Sequence, residues 1–348
     1  MPIQVVDIFC GVGGLTRGLL DAGLDVCAGF DIDPTCQFSY SGNNGVPFYC
    51  QNVRDMDGAE IAACYDETSV RVLVGCAPCQ PFSTMRFKLG KANFEDEKYD
   101  LLTEFGRMVE NVNPTILSVE NVPQIQRTQV FLDFITLLKK LDYHVHHEVV
   151  FCPDYGISQS RRRFVLLASL LGDIELITPT HNRNEVTVRQ FIGGLPEIAA
   201  GKANVVDPLH IASGLSHINL HRIKASAPGG TWRDWPESIR CECHKKVSGQ
   251  TYASVYGRMR WDQIGPTITT QFHNYGTGRF GHPEQDRALT LREGALLQTF
   301  PPDYNFIDPN RPFVLKDVAR HIGNAVPVRL GEIIGTSIKK HLIEHGVE

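Results

Sequence analysis

The sequence lacks any apolar run that approaches the roughly 18–20 residues of a membrane-spanning helix. It also lacks a basic N-terminal stretch of the signal-peptide type, because a strand-like run begins at residue 4. Its ten cysteines have irregular spacings and lie mostly in apolar segments, which favours reduced thiols over a disulfide framework. Internal repeats and low-complexity tracts are also absent. These absences argue against membrane, secreted disulfide-rich and repeat proteins, and we expect a cytoplasmic protein with no membrane partner.

Length and charge predict a globular protein of two domains with one basic region. The 348 residues suit one large domain and a smaller one, with an ordinary balance of 42% hydrophobic and 21% charged residues. The net charge of −5 argues weakly against nucleic-acid binding. Residues 216–260, however, hold eight Lys or Arg against three acidic residues, a charge of +5 opposed by −10 elsewhere. This basic segment either follows phosphates or is a solvated surface, and charge alone leaves both open.

Hydrophobic patterning predicts an α/β domain followed by an irregular one. Strand patterns occupy residues 4–9, 25–30, 71–75, 115–119, 143–150 and 163–168, and helical patterns occupy residues 15–21, 99–112 and 130–141. This alternation predicts a mostly parallel sheet with helices on both faces and ligand sites beyond the carboxyl ends of its strands. From about residue 172 the periodicity fades, which predicts a second domain over roughly residues 175–315. Residues 328–343 are again helix-like, and we expect them to pack on the first domain.

A glycine-rich turn follows the first predicted strand, in Asp-Ile-Phe-Cys-Gly-Val-Gly-Gly at residues 7–14. Glycines allow the backbone to approach a ligand closely. The dinucleotide fingerprint Gly-x-Gly-x-x-Gly is not met, because Thr16 occupies the position of its third glycine. Asp31, one strand later, could accept hydrogen bonds from ribose hydroxyls. A tight strand–helix connection is the structural alternative.

A cysteine-containing loop follows another buried-looking strand, in Gly-Cys-Ala-Pro-Cys-Gln-Pro-Phe-Ser at residues 75–83. Cys79 is a candidate nucleophile, for which the thiolate is the attacking form. Two alternatives remain open at this point. Cys76 and Cys79 could form a Cys-x-x-Cys redox pair, or both could be buried structural thiols.

A carboxylate marks the end of a further strand, in Glu120-Asn121-Val122. A carboxyl group that follows an apolar run is a candidate general acid. The alternative is a solvent-facing glutamate at a strand end.

The next polar cluster is Gln-Ser-Arg-Arg-Arg at residues 159–163. As part of a strand, it would present Gln159, Arg161 and Arg163 on one face and Arg162 on the other. Such a face suits phosphates or base edges. A charged strand end is the alternative.

A further cluster, Cys241-Glu242-Cys243-His244, raises the question of a metal site. A structural zinc site usually has four ligands at wider spacing, and the sequence offers no second cluster. We therefore expect no metal ion at this cluster.

In this order, the cofactor-type turn, Pro-Cys-Gln, Glu-Asn-Val and Gln-x-Arg-x-Arg resemble the motifs of the DNA cytosine-5 methyltransferase family. Residues 287–301 and Gly-Asn-Ala-Val-Pro at residues 323–327 resemble the last two motifs of that family. The resemblance covers residues 3–170 and about 265–345. It implies a Rossmann-like S-adenosylmethionine-dependent methyltransferase fold with a smaller, irregular target-recognition domain. The implied segments are a catalytic domain (1–174), a target-recognition domain (175–315) and a C-terminal segment that returns to the catalytic domain (316–348).

The resemblance also implies roles for the catalytic candidates. Cys79 would add to carbon 6 of a flipped-out cytosine, and Glu120 would protonate or hydrogen-bond ring nitrogen 3. Arg163 would hold the cytosine carbonyl oxygen, Arg161 would lie close by, and Gln159 would help to order the strand. Carbon 5 would then take the methyl group, a base such as water would remove its proton, and the thiolate would leave.

S-adenosyl-L-methionine is the cofactor that the resemblance implies, with S-adenosyl-L-homocysteine as product. The implied contacts are Phe9, Gly11, Gly13, Asp31, Ile32, Asn52, Val53, Pro78, Leu101, Asn324 and Val326. Two of these depart from the usual family pattern. Asn52 stands where an aspartate usually receives the adenine amino group, although its carbonyl oxygen can still accept. Asp31 replaces the more usual glutamate at the ribose.

The partner that this resemblance implies is double-stranded DNA. The expected setting is a prokaryotic cytoplasm, in association with the nucleoid, as a restriction–modification enzyme with a separate endonuclease or as a solitary methylase. The rivals are a tRNA cytosine methyltransferase, an inactive DNA-binding relative and a Cys-x-x-Cys oxidoreductase. The Cys-Phe-Thr tripeptide typical of the tRNA branch is absent, and Cys79, Glu120 and Arg163 are intact.

Overall fold

The computed structural model describes residues 1–78 and 100–347, which form two compact units. The first unit comprises the described residues of Met1–Tyr155, Arg162–Pro179 and Ala325–Glu348. The second unit comprises Gly156–Arg161 and Thr180–Asn324. Each unit is therefore assembled from separate stretches of the sequence.

A seven-stranded sheet forms the centre of the first unit, in the order β3-β2-β1-β4-β5-β7-β6. The strands are β1 (Ile3–Ile8), β2 (Asp25–Asp31), β3 (Phe48–Cys50), β4 (Val70–Gly75), β5 (Ile116–Asn121), β6 (His144–Phe151) and β7 (Arg162–Ser169). Neighbouring strands from β3 to β5 are parallel, whereas β7 is antiparallel to both β5 and β6. β5 is buried along its whole length, as is usual for a strand covered on both faces.

Helices surround this sheet and also contribute to the second unit. In the first unit they are α1 (Gly14–Asp21), α2 (Gln37–Asn44), α3 (Gly58–Ala62), α4 (Leu101–Val112), α5 (Gln129–Lys140) and α11 (Val328–Glu344). In the second unit they are α6 (Val188–Ile192), α7 (His217–Lys224), α8 (Glu242–Lys245), α9 (Leu291–Leu297) and α10 (Leu315–Asn324). Among the described helices, none is both long and apolar enough to cross a bilayer.

The C-terminal helix α11 packs against α1, and a glycine makes this close approach possible. A Cβ atom on Gly18 would overlap the carbonyl oxygen of Val328 and the backbone nitrogen of Glu332. Glycine is therefore required at this position for the two backbones to touch. The contact also fixes α1, which begins directly after the glycine-rich turn.

The second unit has little regular structure and is organised around aromatic and ionic contacts. Trp232, Trp235 and Tyr275 form a buried cluster with Ile223 and Ala288. Each of the three rings also carries a polar atom that hydrogen-bonds within the unit, as buried tryptophan and tyrosine usually require.

A buried ion pair and a capping box explain part of the motif at residues 287–301. Nη1 and Nη2 of Arg287 donate to Glu293, at 2.7 and 2.8 Å, and both side chains are fully buried. Thr290 caps α9 and accepts from the Glu293 backbone, while Glu293 accepts from the Thr290 backbone. These motif residues therefore build the start of α9.

The predicted α/β fold class is confirmed, with two antiparallel strand pairs in a mostly parallel sheet. Each predicted strand and helix has an observed counterpart, with bounds that differ by a few residues. The prediction missed β3, α2 and α3 of the first unit and the helices α6 to α10 of the second unit. It was wrong to place Gln159 and Arg161 on a strand with Arg163, because β7 begins at Arg162 and both Gln159 and Arg161 belong to the second unit.

Candidate functional site

The turn after β1 has a backbone that explains its glycines. Gly11 and Gly13 have φ angles of 52° and 87°, in the left-handed region that favours glycine. Phe9 also lies in this region, with a φ of 64°, although a bulky residue rarely adopts that conformation. Such strain tends to cluster at ligand sites. This turn is therefore an unusual backbone feature at the carboxyl end of β1.

Asp31 ends β2 and faces this turn. Its Oδ2 accepts the backbone N–H of Gly11 at 2.9 Å, and its Oδ1 accepts the backbone N–H of Asp33 at 2.9 Å. Burial raises the pKa of Asp31, and these two N–H groups oppose the increase. Each oxygen keeps a further lone pair for a ligand hydroxyl.

A cavity of about 210 Å³ lies at this edge of the sheet, within the first unit. It is lined by Ile8, Phe9, Phe30, Asp31, Ile32, Gln51, Asn52, Val53, Arg54, Met56, Pro78 and Leu101. The walls are mostly apolar, and polar groups are few. Seven of the predicted cofactor residues thus line one cavity: Phe9, Asp31, Ile32, Asn52, Val53, Pro78 and Leu101.

The remaining predicted cofactor residues have other positions. Gly11 and Gly13 shape the turn beside the cavity without lining it. Val326 is buried in the first unit and is also outside the described lining. Asn324 is the last residue of α10, in the second unit.

The hydrogen bond at Asn52 and the ion pair of its neighbour Arg54 were not evident from the sequence. The backbone N–H of Arg54 donates to Asn52 Oδ1 at 3.2 Å, which leaves this oxygen a second lone pair. Arg54 pairs with Asp100, and this hydrogen bond lowers the pKa of Asp100. No sequence pattern pointed to Arg54, because its ion-pair partner is 46 residues away.

A buried carboxyl group lies beneath the glycine-rich turn. Asp7 is fully buried, and Thr16 Oγ1 donates to its Oδ2 at 2.7 Å. Burial raises the pKa of Asp7 to about 7, although the hydrogen bond to Thr16 opposes the change. Thr16, at the place of the missing third glycine, therefore has a structural role in this turn.

Glu120 lies near the carboxyl end of β5 and is only 3% exposed, so the solvent-facing alternative is wrong. The Cys76 thiol donates to its Oε2 at 2.8 Å. Arg163 Nε lies 2.8 Å from Oε1 as an ion pair. That contact lacks hydrogen-bond alignment, and no described residue makes a hydrogen bond to Oε1. A buried carboxylate oxygen thus remains available to a ligand.

The loop after β4 is positioned by the same strand end. Asn121 Nδ2 donates to the carbonyl oxygen of Ala77 at 3.0 Å, and its Oδ1 accepts the Val122 N–H. Glu120 and Asn121 thereby hold Cys76 and Ala77 of the predicted nucleophile loop. Cys79 itself lies outside the described residues.

Gln159 and Arg161 are structural residues of the second unit rather than a polar strand face. Gln159 Nε2 donates to the Leu297 carbonyl at 2.7 Å and to Gln298 Oε1 at 2.8 Å. Arg161 donates to the Ile268 carbonyl at 3.0 Å and is 3% exposed. Both side chains therefore bind neighbouring backbone instead of facing solvent.

A larger cavity of about 660 Å³ lies within the second unit and is predominantly polar. Hydroxyl and amide groups line it, together with two arginines: Ser160, Ser254, Gln263, Thr267, Thr269, Thr277, Arg260 and Arg279. Burial and the charge of Arg260 lower the pKa of Arg279. Two neighbouring guanidinium groups favour an anionic ligand in this polar cavity. Arg279 and the threonines lie beyond the basic segment, so sequence charge did not reveal them.

Several arginines of the basic segment bind backbone carbonyls rather than a free surface. Arg258 is 6% exposed and donates to the carbonyls of Ser226, His282 and Gln285. Arg222 donates to the Ile239 carbonyl, and Arg240 donates to the Trp235 carbonyl. Much of this positive charge therefore stabilises loops.

Comparisons with known proteins agree with this architecture. The chain matches the family described as C-5 cytosine-specific DNA methylase over residues 3–340. It is 52% identical to the Type II methylase M.HgiDII of Herpetosiphon aurantiacus, over 97% of this chain and 95% of that protein. It is 30% identical to the Type II methyltransferase M1.BsuMI of Bacillus subtilis, over 95% of this chain and 79% of that protein.

Solved structures share the fold. A prophage-encoded E. coli protein assigned as a DNA modification methyltransferase superposes with a TM-score of 0.73. The match has 23% sequence identity and covers 98% of this chain and 99% of the other. At this identity the likeness shows the fold alone, while the family match spans nearly the whole sequence. The chain therefore belongs to the C-5 cytosine-specific DNA methylase family and is a DNA (cytosine-5) methyltransferase.

Proposed function

We propose that this protein methylates carbon 5 of a flipped-out cytosine in a specific double-stranded DNA sequence, through a covalent adduct with Cys79. The observation that carries the proposal is the environment of Glu120. Its carboxylate is buried, and Oε2 accepts a hydrogen bond from the Cys76 thiol. Oε1 forms an ion pair with Arg163 but accepts no hydrogen bond from a described residue. A protonated or hydrogen-bonding partner is expected at such an oxygen, since buried polar atoms are rarely left unpaired.

The cavity at the carboxyl ends of β1 and β2 fits S-adenosylmethionine, which supplies an electrophilic methyl group on its sulfonium. Apolar side chains can cover an adenine face, and Asp31 can accept from ribose hydroxyls. Asn52 Oδ1 keeps a lone pair for an amino group. Arg54, a cation held by Asp100, lies on the same wall.

In the proposed reaction, the Cys79 thiolate adds to cytosine carbon 6 and a carbon–sulfur bond forms. Glu120 donates a proton or hydrogen bond to ring nitrogen 3, so negative charge does not accumulate on the ring. The resulting enamine would attack the methyl group through carbon 5, with cleavage of the sulfonium–methyl bond and S-adenosyl-L-homocysteine as the leaving group. A base such as water then removes the carbon 5 proton, the double bond between carbons 5 and 6 reforms as the thiolate leaves, and ring nitrogen 3 returns its proton to Glu120.

Arg163 is suited to orient both Glu120 and the base. Its Nε contacts Glu120 and its Nη1 donates to the Arg162 carbonyl, so Nη2 has donors left for a carbonyl oxygen. Arg161 does not share this environment, because its donors reach the Ile268 carbonyl. We therefore propose Arg163 as the cytosine contact and Arg161 as a positioning residue of the second unit.

Base flipping follows from the burial of the catalytic carboxylate. A cytosine stacked in a duplex cannot place its ring nitrogen against a side chain that is 3% exposed. The base must leave the helix, as in other enzymes that react with a base. The polar cavity of the second unit offers hydroxyl, amide and guanidinium donors for phosphates or base edges.

We assign residues 1–174 to catalysis, 175–315 to target recognition and 316–348 to the C-terminal return. The Type II names of the relatives from H. aurantiacus and B. subtilis favour a restriction–modification role over a solitary one. The proposed partner is then an endonuclease of the same sequence specificity that acts separately. The proposed location is a prokaryotic cytoplasm, in association with the nucleoid.

Transfer from tritiated S-adenosylmethionine to duplex DNA and to tRNA tests the substrate class, and bisulfite sequencing of the methylated DNA locates the product. We expect label in duplex DNA at one short sequence and protection of its cytosine from conversion. Glu120→Ala should abolish labelling. Label confined to tRNA, or no label in either substrate with cofactor bound, would contradict the proposal.

A further inference from the structure

We propose that Cys241, Cys243 and His244 bind a zinc ion in the second unit. In the sequence alone, the close spacing of the three residues and the lack of a fourth ligand argue against a metal ion. The structure brings one ligand atom from each residue to within 4.8 Å of the other two. This clustering is not a consequence of sequence spacing alone, since neighbouring side chains on a turn can also diverge.

The local backbone accounts for the clustering. Cys241 is the N-cap of α8, and the backbone N–H of His244 donates to the Cys241 carbonyl at 2.9 Å. Gly249 lies against the Cys243 carbonyl, where a Cβ atom would overlap it. The following turn therefore passes close to the backbone of Cys243 and His244.

His244 supplies an independent indication of a ligand. Its side chain is 94% buried, with a relative exposure of 6%, and no described residue makes a hydrogen bond to its Nδ1. The ring stacks on Trp232 at a centroid distance of 4.2 Å and meets Tyr256 edge-on at 5.8 Å. The imidazole is therefore fixed in orientation, with a nitrogen atom that lacks a partner among the described residues.

The donor set selects the metal. Two thiolates and one imidazole favour zinc over magnesium or calcium, which prefer oxygen ligands. Tetrahedral zinc, with bonds of about 2.3 Å to sulfur and about 2.0 Å to nitrogen, spaces its ligand atoms by roughly 3.5–3.8 Å. The ligand atoms lie within 4.8 Å of one another, so the closure required is at most roughly 1.3 Å. A water molecule would complete the fourth position.

The ion would attach a poorly structured segment to the core of the second unit. Trp232, on which His244 stacks, belongs to the buried aromatic cluster, and Cys241 and Tyr256 pack against the same cluster. Lys245 and Lys246 follow the site directly. Zinc would therefore hold these two lysines in one place, where they could meet a phosphate backbone.

Metal content and cobalt spectroscopy test the site without reference to activity. The protein is stripped with a chelator, loaded with zinc, passed through a desalting column and analysed by mass spectrometry of the metal. We expect about one zinc per chain. Cobalt in place of zinc should give thiolate charge-transfer absorption and the visible bands of a tetrahedral complex.

Cys243→Ser is the most informative variant, because Cys243 is exposed and its loss should spare the core. It should weaken zinc binding by at least about a hundredfold, since even indirect partners of a metal ligand contribute ten- to a hundredfold. His244→Ala should do the same. Cys64→Ser and His217→Ala, which alter residues outside the cluster, should keep full binding. The proposal would be overturned if Cys243→Ser retained zinc, or if the wild-type protein held no zinc after loading and desalting.

Discussion

Asp7→Asn should remove a pH dependence of stability that the wild-type protein shows. Asp7 is fully buried under the glycine-rich turn, and burial raises its pKa from 3.8 to about 7. The folded protein therefore keeps this proton at pH values where the unfolded chain has lost it. The stabilising effect of the neutral carboxyl is complete below pH 3.8 and is lost as the pH rises through about 7.

The size of the effect follows from the two pKa values. Between about pH 5 and about pH 8, the wild type should lose roughly 2–3 kcal/mol of unfolding free energy through Asp7 alone. Asparagine cannot ionise, so this loss should vanish in the variant. The variant amide places an NH2 group where Asp7 Oδ1 has no hydrogen bond from a described residue, at a cost of about 1–3 kcal/mol. That cost does not depend on pH.

Urea unfolding at the two pH values, followed by far-ultraviolet circular dichroism, measures this difference. The observable is the change with pH in each protein rather than the absolute stability. Asp133→Asn, which alters an exposed carboxyl group of the first unit, is the matched control and should behave as the wild type does. Equal pH dependence in the wild type and Asp7→Asn would refute the reasoning.

Three further outcomes are expected. Glu120→Gln should bind DNA and cofactor normally, but its single-turnover methylation rate should fall about a hundred- to ten-thousand-fold because it cannot donate the proton. A rate near that of the wild type would mean that Glu120 is only a structural residue at a strand end. Gly18→Ala should lower the unfolding free energy by about 3 kcal/mol, because the added methyl group would overlap the backbone of α11. Gly42 lies in a helix with open space around it, so the control Gly42→Ala should be neutral or slightly stabilising. Lys246→Ala and Arg260→Ala should each lower the salt slope of DNA binding by roughly one without affecting cofactor binding; unchanged slopes in both would contradict the recognition role of the second unit.

Sequence periodicity predicted most of the sheet because its strands are long and apolar. β5 and β4 carry unbroken runs of buried residues, and α4 repeats its apolar positions at helical spacing. β3 was missed because it has only three residues, two of them exposed. Such a short edge strand is defined by its pairing with β2, and pairing is not visible in local sequence.

The candidate site was predictable where a motif places its residues at successive strand ends. Among the cavity residues, Phe9 follows β1, Asp31 ends β2 and Asn52 lies two residues after β3. These strand ends meet at one edge of the parallel part of the sheet. The roles of Arg161 and Arg258 were not predictable, because the carbonyl oxygens that they bind are 107 and 24 residues away. Charge in a sequence does not distinguish an arginine that binds DNA from one that binds its own backbone.

The central claim is that Cys79, and not Cys76, forms the covalent bond to cytosine. Duplex DNA with 5-fluorocytosine at the target position tests it, because fluorine cannot leave carbon 5 as a proton does and the adduct should accumulate after methyl transfer. We expect a denaturation-resistant complex that requires S-adenosylmethionine, with the link at Cys79 by peptide mapping. Cys79→Ser should abolish the complex, whereas Cys76→Ser should form it, more slowly because the hydrogen bond to Glu120 changes. A link at Cys76, or one that survives Cys79→Ser, would contradict the account.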